Sequence, residues 1–410
     1  MRNDERVPVL HFTNSTVRGG AEEHMLLLLR VLDRRQFRVY CACPPALAEQ
    51  IHQDVPADVE LVTLELGSPR NVNAAAKLAY FLRSRQIAIL HSHMFTSSLF
   101  ASPVGWFCRV PVIVETTHLK EAWRSGWKAS FMLDRIVARC VDQFIAVSRA
   151  NAEYLVNEKR YPADKVSVIE NGCDLNRFQS HPCDSLGLRQ RLGFGAYDPV
   201  LVVLARLEPQ KGHRVLVDAM PRILQECPAA KAVFVGDGAC RREVEAQIRR
   251  YGLDNSVRLP GYSPDVGEWL SLATLTVLPS FYEGLPGAPI ESLAAGKPVV
   301  ATAVDGTTEV VIHEQTGLAV PAGDAPALAE AVCRLLRDES LRKRLAACGH
   351  RWVFENFSME RMVRRTQELY WRLYCQAEGR EAGLASAITA LPEALPREEL
   401  DEHSEIGQNP

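Results

Sequence analysis

Short, continuously apolar runs alternate with stretches of helical period along most of the chain. In the first half, Val7–Phe12, Arg38–Ala42, Val59–Leu64, Ile87–His91, Val112–Thr116, Gln143–Val147 and Val166–Glu170 predict strands. Ala21–Leu32, Ala74–Arg83 and Ser130–Cys140 predict helices between them. The second half repeats the scheme, with predicted strands at Val200–Ala205, Ala232–Val235, Ser256–Leu259, Leu275–Leu278 and Pro298–Ala301. Helices are predicted at His213–Gln225, Arg241–Tyr251, Pro289–Ala295, Ala325–Leu336 and Ser340–Ala347, and a longer one at Ser358–Gln376. Strands that are apolar along their whole length, rather than at every second position, belong to parallel sheets buried on both faces. Two such blocks predict two doubly wound α/β domains. The stretch Asp174–Asp198 lacks a period, contains Pro182, Gly187, Gly193 and Gly195, and reads as the linker.

Composition narrows the class. The 410 residues are 47% hydrophobic and 24% charged, which excludes disorder for the bulk of the chain. A net charge of −3 argues against a general nucleic-acid binder. The 11 cysteines show no Cys-x-x-Cys pair, so neither a disulfide framework nor a zinc ribbon is expected, and free thiols suit a reducing cytosol. No apolar region follows the Met1–Arg6 start, and the longest apolar stretch, Leu99–Cys108, is broken by Ser102, Pro103 and Gly105. Neither a signal peptide nor a spanning helix is expected. From Glu381 onward seven acids face one cation, Arg397, which predicts a solvated, disordered tail.

The candidate chemistry falls at predicted strand ends, where open α/β sheets hold their ligands. After the first strand, Gly19 and Gly20 open a helix, either as an approach for an anion to backbone N–H groups or as a plain tight start. His91, His93 and His118 also follow strands. No zincin pattern accompanies them, so a metal is not expected, and His118 reads as a polar substrate contact. Arg206 and Lys211 lie five residues apart in a strand-to-helix loop, where a guanidinium fork and an ammonium suit phosphate oxygens; a solvated surface pair is the plain alternative. Glu283 stands in the loop Glu283-Gly284-Leu285-Pro286, with Glu291 on the helix that follows.

In this order the residues resemble the retaining glycosyltransferases of the GT-B fold, family 4-like, also described as glycosyl transferases group 1. The resemblance rests on Gly19-Gly20-Ala21-Glu22, Thr117-His118, Ala146-Val147-Ser148, Asn171-Gly172-Cys173-Asp174, Arg206…Lys211-Gly212, Gly236-Asp237-Gly238 and Glu283-Gly284-Leu285-Pro286…Glu291. It covers residues 7 to about 376. Ala205 replaces a usual glycine and Ala239 a common proline, with no functional atom lost. The resemblance implies two Rossmann-like domains facing across a cleft. An acceptor domain would occupy 1–183 and a donor domain 184–357. A helix at 358–378 would cross back to the first domain, and 379–410 would form the acidic tail.

The resemblance also implies roles. Arg206 and Lys211 would hold the donor diphosphate, and Glu291 the ribose hydroxyls. Glu283 and Gly284, Leu285 and Pro286 would contact the transferred sugar and its phosphate. Gly19 and Gly20 would line the cleft, and His118 would lie near the reacting centre. The expected enzyme is a hexosyltransferase that takes sugar from a nucleoside-diphosphate sugar to a glycan or lipid-linked hydroxyl with retention, in polysaccharide and cell-envelope biosynthesis. The nucleotide sugar would be a co-substrate, with no cofactor. Because Asp-x-Asp is absent, no metal is expected. A nucleotide-sugar epimerase or hydrolase, or a non-catalytic binding scaffold, is the alternative on the same fold.

One segment bears on location. If residues 119–131 are helical, Trp123, Trp127 and Phe131 share a face beside Lys120, Arg124 and Lys128. Such a stripe either rests among anionic headgroups or packs into the first domain. A cytoplasmic protein, with peripheral contact on the inner face of the membrane in the first case, is the expectation.

Overall fold

The computed structural model describes residues 6–65, 71–120, 131–178 and 185–379. The aromatic and basic positions 123, 124, 127 and 128, the acidic tail, and residues 179–184 of the expected linker lie outside the described residues.

Two parallel sheets form, as the apolar runs require. The first contains β1 (Val7–Phe12), β2 (Phe37–Cys43), β3 (Glu60–Thr63), β4 (Ile89–His93), β5 (Val112–Thr117), β6 (Gln143–Ala146) and β7 (Val166–Val168). Its order is β3-β2-β1-β4-β5-β6-β7. The second contains β8 (Val200–Leu204), β9 (Lys231–Val235), β10 (Val257–Gly261), β11 (Leu275–Leu278), β12 (Val299–Thr302) and β13 (Leu318–Val320), ordered β10-β9-β8-β11-β12-β13. Both are Rossmann orders, with the chain reversing its direction of travel between β1 and β4, and again between β8 and β11. At each reversal the loops leaving the two neighbouring strands diverge to opposite faces and leave a crevice.

The chain forms two compact units. Of the described residues, one takes those up to Thr116, Leu133–Phe144 and those from Glu360 on; the other takes those within Thr117–Met132 and Ile145–Met359. In the first, the helix Met359–Glu378 meets β1 and β4 through Tyr370, whose ring lies against those of His11 and His91. Its Tyr370 is fully buried, Gln367 accepts the Asp33 N–H at 2.8 Å, and Trp371 donates to Gln36 at 2.5 Å. In the second, Leu201, Val203, Phe234, Val277 and Val300 of the strands meet Leu216, Met220 and Val332 of the covering helices in one core.

The reading of Asp174–Asp198 as a linker is corrected. Residues Ser185–Leu192 form a helix, and Leu188 and Phe194 are buried with Val200, Val202 and Trp269. Arg189 donates to the carbonyl of Asp198 at 2.7 Å. Gly187 lies within that helix, and Gly193, at φ +71°, turns the chain just after it. Leu99–Cys108, broken on paper by Pro103 and Gly105, is largely one helix, Phe95–Phe107. A Cβ on Gly105 would stand 2.6 Å from Leu90 Cδ2, so this glycine lets the helix close onto β4.

Candidate functional site

The loops after β8 and β11 meet in the second unit. Gly212 has φ +63°, and a Cβ there would stand 2.0 Å from the carbonyl oxygen of Pro279, so only glycine permits the approach. The Phe281 N–H donates to Gln210 O and the Gln210 side chain to Tyr282 O, both at 2.8 Å. This splint places Lys211 Nζ 2.6 Å from Glu283 Oε1, which also accepts the Ser280 hydroxyl at 2.7 Å. Glu283 donates its N–H to Asp305 at 3.0 Å. The Glu283 side chain is 5% exposed and that of Lys211 19%, so the pair is largely out of water. Arg206 stands exposed on the same loop as Lys211, and its guanidinium makes no hydrogen bond or ion pair among the described residues. Behind the loop, burial and then the Lys211 charge push the His213 pKa down to about 4.

Gly284 joins this pair to His118, in the same unit. A Cβ on Gly284 would lie 1.8 Å from the carbonyl oxygen of His118, and one on Gly306 would lie 1.9 Å from the carbonyl oxygen of Gly284 and 2.9 Å from Ser148 Cβ. Three backbones therefore stack without side chains between them, and His118 emerges beside the Glu283–Gly284 turn. Glu309 fixes the fourth segment: its carboxylate accepts the N–H groups of Arg149 and Ala150 at 3.1 and 3.0 Å. Leu285 turns inward and is buried with Val147, Leu278 and Ile290, so only its backbone can meet a ligand. Pro286 precedes the helix Gly287–Ala294, which carries Glu291 half-buried. Burial, then the Glu291 charge, push the Cys173 thiol pKa upward, which places that carboxylate near Cys173.

Gly19 and Gly20 belong to the first unit. Gly19 is extended, at φ −153° and ψ −169°, and caps the helix Gly20–Val31 with no side-chain bond. A Cβ on Gly20 would have nothing within 4 Å, so nothing within the described fold demands a glycine at 20.

Sequence reasoning missed His11. Its Nδ1 is 3.0 Å from His93 Nε2, while His91 contacts the Tyr370 hydroxyl at 2.5 Å and that of Thr116 at 2.6 Å. The available signal was alternation: in register, His11 opposes His91, and both point to the same face as His93. Ring nitrogens of His11, His91 and His93 lie within 4.8 Å of one another, close enough for a metal to draw on. The hydroxyl contacts already engage both His91 nitrogens, and all three ligands would be neutral. Burial holds His11 uncharged, with its pKa lowered to about 3.

A doubly wound pair of parallel sheets, with an ion pair and stacked glycines at the switch point of the second, defines a GT-B glycosyltransferase architecture. The family described as Glycosyltransferase Family 4 matches residues 18–177, and that described as Glycosyl transferases group 1 matches residues 198–338. The D-inositol 3-phosphate glycosyltransferase of a Nocardioides species is 30% identical over 319 residues, 72% of this chain and 69% of the relative. The lipopolysaccharide core biosynthesis mannosyltransferase LpsB of Rhizobium meliloti is 27% identical over 70% of this chain and 80% of its own. The Anabaena protein HepE, solved in complex with UDP, shares the fold with a TM-score of 0.78 at 23% identity, over 88% of this chain and 99% of that one. The chain belongs to the group 1 glycosyltransferases.

Proposed function

We propose that this glycosyltransferase moves a hexose from a nucleoside-diphosphate sugar to a hydroxyl of a glycan or lipid-linked acceptor, with retention of configuration. The observation that carries the reading is the Lys211–Glu283 pair beside the exposed Arg206, at a switch point where this sheet order leaves a crevice. Arg206 and Lys211 bind the diphosphate. As the sugar–phosphate bond breaks, negative charge grows on the departing oxygen, and these cations stabilise it without reorganising. Glu283, held by Lys211 and Ser280, accepts hydrogen bonds from the sugar, and the backbone of Gly284, Leu285 and Pro286 contacts its phosphate. Glu291 takes the ribose hydroxyls.

His118 orients the sugar, and Gly19 and Gly20 line the acceptor side. Residues 1–183 serve the acceptor and 184–357 the donor, with helix 358–378 packed back on the first domain. The acceptor attacks from the face that the diphosphate leaves, and a phosphate oxygen takes its proton, so no protein nucleophile is needed. Neither metal nor cofactor takes part, since the protein's own cations do the neutralising. An Escherichia coli relative, 23% identical over 89% of this chain, is named a UDP-Gal:alpha-D-GlcNAc-diphosphoundecaprenol alpha-1,3-galactosyltransferase. That name supports a nucleotide-sugar donor and a lipid-linked acceptor; we place their meeting at the cytoplasmic face of a membrane. Among the described residues no helix is long and apolar enough to cross a membrane.

The test is a panel of nucleotide sugars with lipid-linked and glycan acceptors, read by nucleotide release and by NMR of the product anomer, with and without EDTA. Acceptor-dependent release, the donor's anomeric configuration and full activity in EDTA are expected. An inverted product rejects retention, and loss in EDTA restored by magnesium or manganese rejects the metal-free mechanism. Release at the same rate without acceptor makes the enzyme a hydrolase.

A further inference from the structure

Two neighbouring helices of the first unit leave aromatic side chains in water at their carboxyl ends. Tyr80 is 76% exposed on the helix Val72–Ser84, and Trp106 and Phe107 are 64% and 71% exposed at the end of Phe95–Phe107. The guanidinium of Arg83 lies 5.8 Å from the centre of the Phe107 ring, which joins the two ends into one patch. The second helix also lies against Ala138–Cys140, next to Leu133 and Ile136, which are 49% and 53% exposed. Large apolar groups scattered singly need no explanation, but a contiguous aromatic patch does.

The exposed charges around it are predominantly positive. Lys77, Arg83, Arg109 and Arg139 are exposed on these segments. Across 71–86, 95–111 and 131–141 the single acid is Asp134, which is buried; at their borders Asp142 is exposed but accepts the Ile113 N–H, and Glu60 pairs with Arg85, which leaves the four cations above in excess. The whole chain is nevertheless net negative, at −3. A second copy related by a twofold axis would bring these cations against one another, so the occupant is not this chain. Rings that pack sideways into an apolar boundary, surrounded by cations, match the headgroup zone of an anionic bilayer.

We propose that the Tyr80–Trp106–Phe107 patch seats the first unit on an anionic membrane surface. These helices run back against the parallel strands, so the patch lies toward the amino-terminal edge of the sheet. The Gly19–Gly20 loop leaves the carboxyl edge of β1 and stays uncovered. The surface is independent of the donor chemistry proposed above and involves different residues.

The test is flotation of the full chain with phosphatidylglycerol/phosphatidylcholine vesicles and with phosphatidylcholine alone. The wild-type protein floats with the anionic vesicles at low salt and is released at about 0.5 M salt, where the Debye length falls to a few ångströms. Trp106→Ser/Phe107→Ser and Arg83→Glu/Arg109→Glu each lower partition about tenfold. Thermal unfolding and nucleotide-sugar binding stay at wild-type values, which separates failure of the patch from misfolding and from failure of the transferase reading. Three results would overturn the proposal: wild-type protein in the soluble fraction with both vesicles, variants that float like wild type, or a wild-type dimer that Trp106→Ser/Phe107→Ser converts to monomer.

Discussion

Lys211 and Glu283, 72 residues apart in the chain, stand 2.6 Å apart with the carboxylate almost wholly out of water. Desolvating two charges is repaid only while both remain, so removing one costs more than the pair contributes. Lys211→Met or Glu283→Gln should lower unfolding stability by about 2–3 kcal/mol, below the roughly 3–5 kcal/mol of a fully buried pair because Lys211 keeps some solvent. The double variant should lose less than the sum. Urea denaturation of the four proteins measures the coupling, and strict additivity would contradict a direct pair. Turnover should fall in all three variants.

Arg206 gives the opposite signature. With no internal partner among the described residues, Arg206→Ala should leave stability within about 0.5 kcal/mol of wild type. Loss of its charged hydrogen bond to the diphosphate should lower kcat/KM by about tenfold or more. Turnover equal to wild type would remove Arg206 from the site.

Gly284 and Gly306 should refuse a methyl group, since the Cβ atoms would stand 1.8 and 1.9 Å from carbonyl oxygens. Gly284→Ala must move backbone rather than a side chain, and a cost of at least about 2 kcal/mol is expected. Gly287→Ala is the control: nothing lies within 4 Å of the added methyl, and its melting temperature should stay near wild type. Equal melting temperatures for the two variants would mean that the stack at His118 is looser than described.

Stability should fall on mild acidification. Burial lowers the pKa of His11 to about 3 and that of His213 to about 4, against an ordinary 6.5. Below pH 6.5 the unfolded chain therefore binds protons that the folded one refuses. The contribution is complete above 6.5 and is lost as pH falls toward those folded values, by at most about 1.4 kcal/mol per pH unit for each group. Urea midpoints should drop between pH 7 and pH 5, and His213→Leu should flatten that slope. A midpoint that holds or rises on acidification would show that these imidazoles are charged in the fold.

The strands and the order of motifs were legible because a strand buried on both faces must be apolar along its length. Val7–Phe12 and Leu275–Leu278 appear where the apolar runs stand. Local pattern failed where tertiary contact overrode it. Pro103 and Gly105 look like breakers, yet their helix persists because the missing Cβ at 105 admits Leu90. Ser185–Leu192 has little amphipathic period and folds because Leu188 finds a pocket beside Val200 and Trp269. The three-residue β13 is too short to leave any period.

By itself, then, the sequence determined two parallel α/β blocks, placed Arg206, Lys211 and Glu283 after strand ends and put Glu291 on the helix that follows, since burial and turn chemistry act over a few neighbouring residues. That Lys211 meets Glu283 and that His11 joins His91 and His93 were decided only when β8 paired with β11 and β1 with β4. Strand order is a choice among many pairings of similar apolar strands, and no local signal carries it.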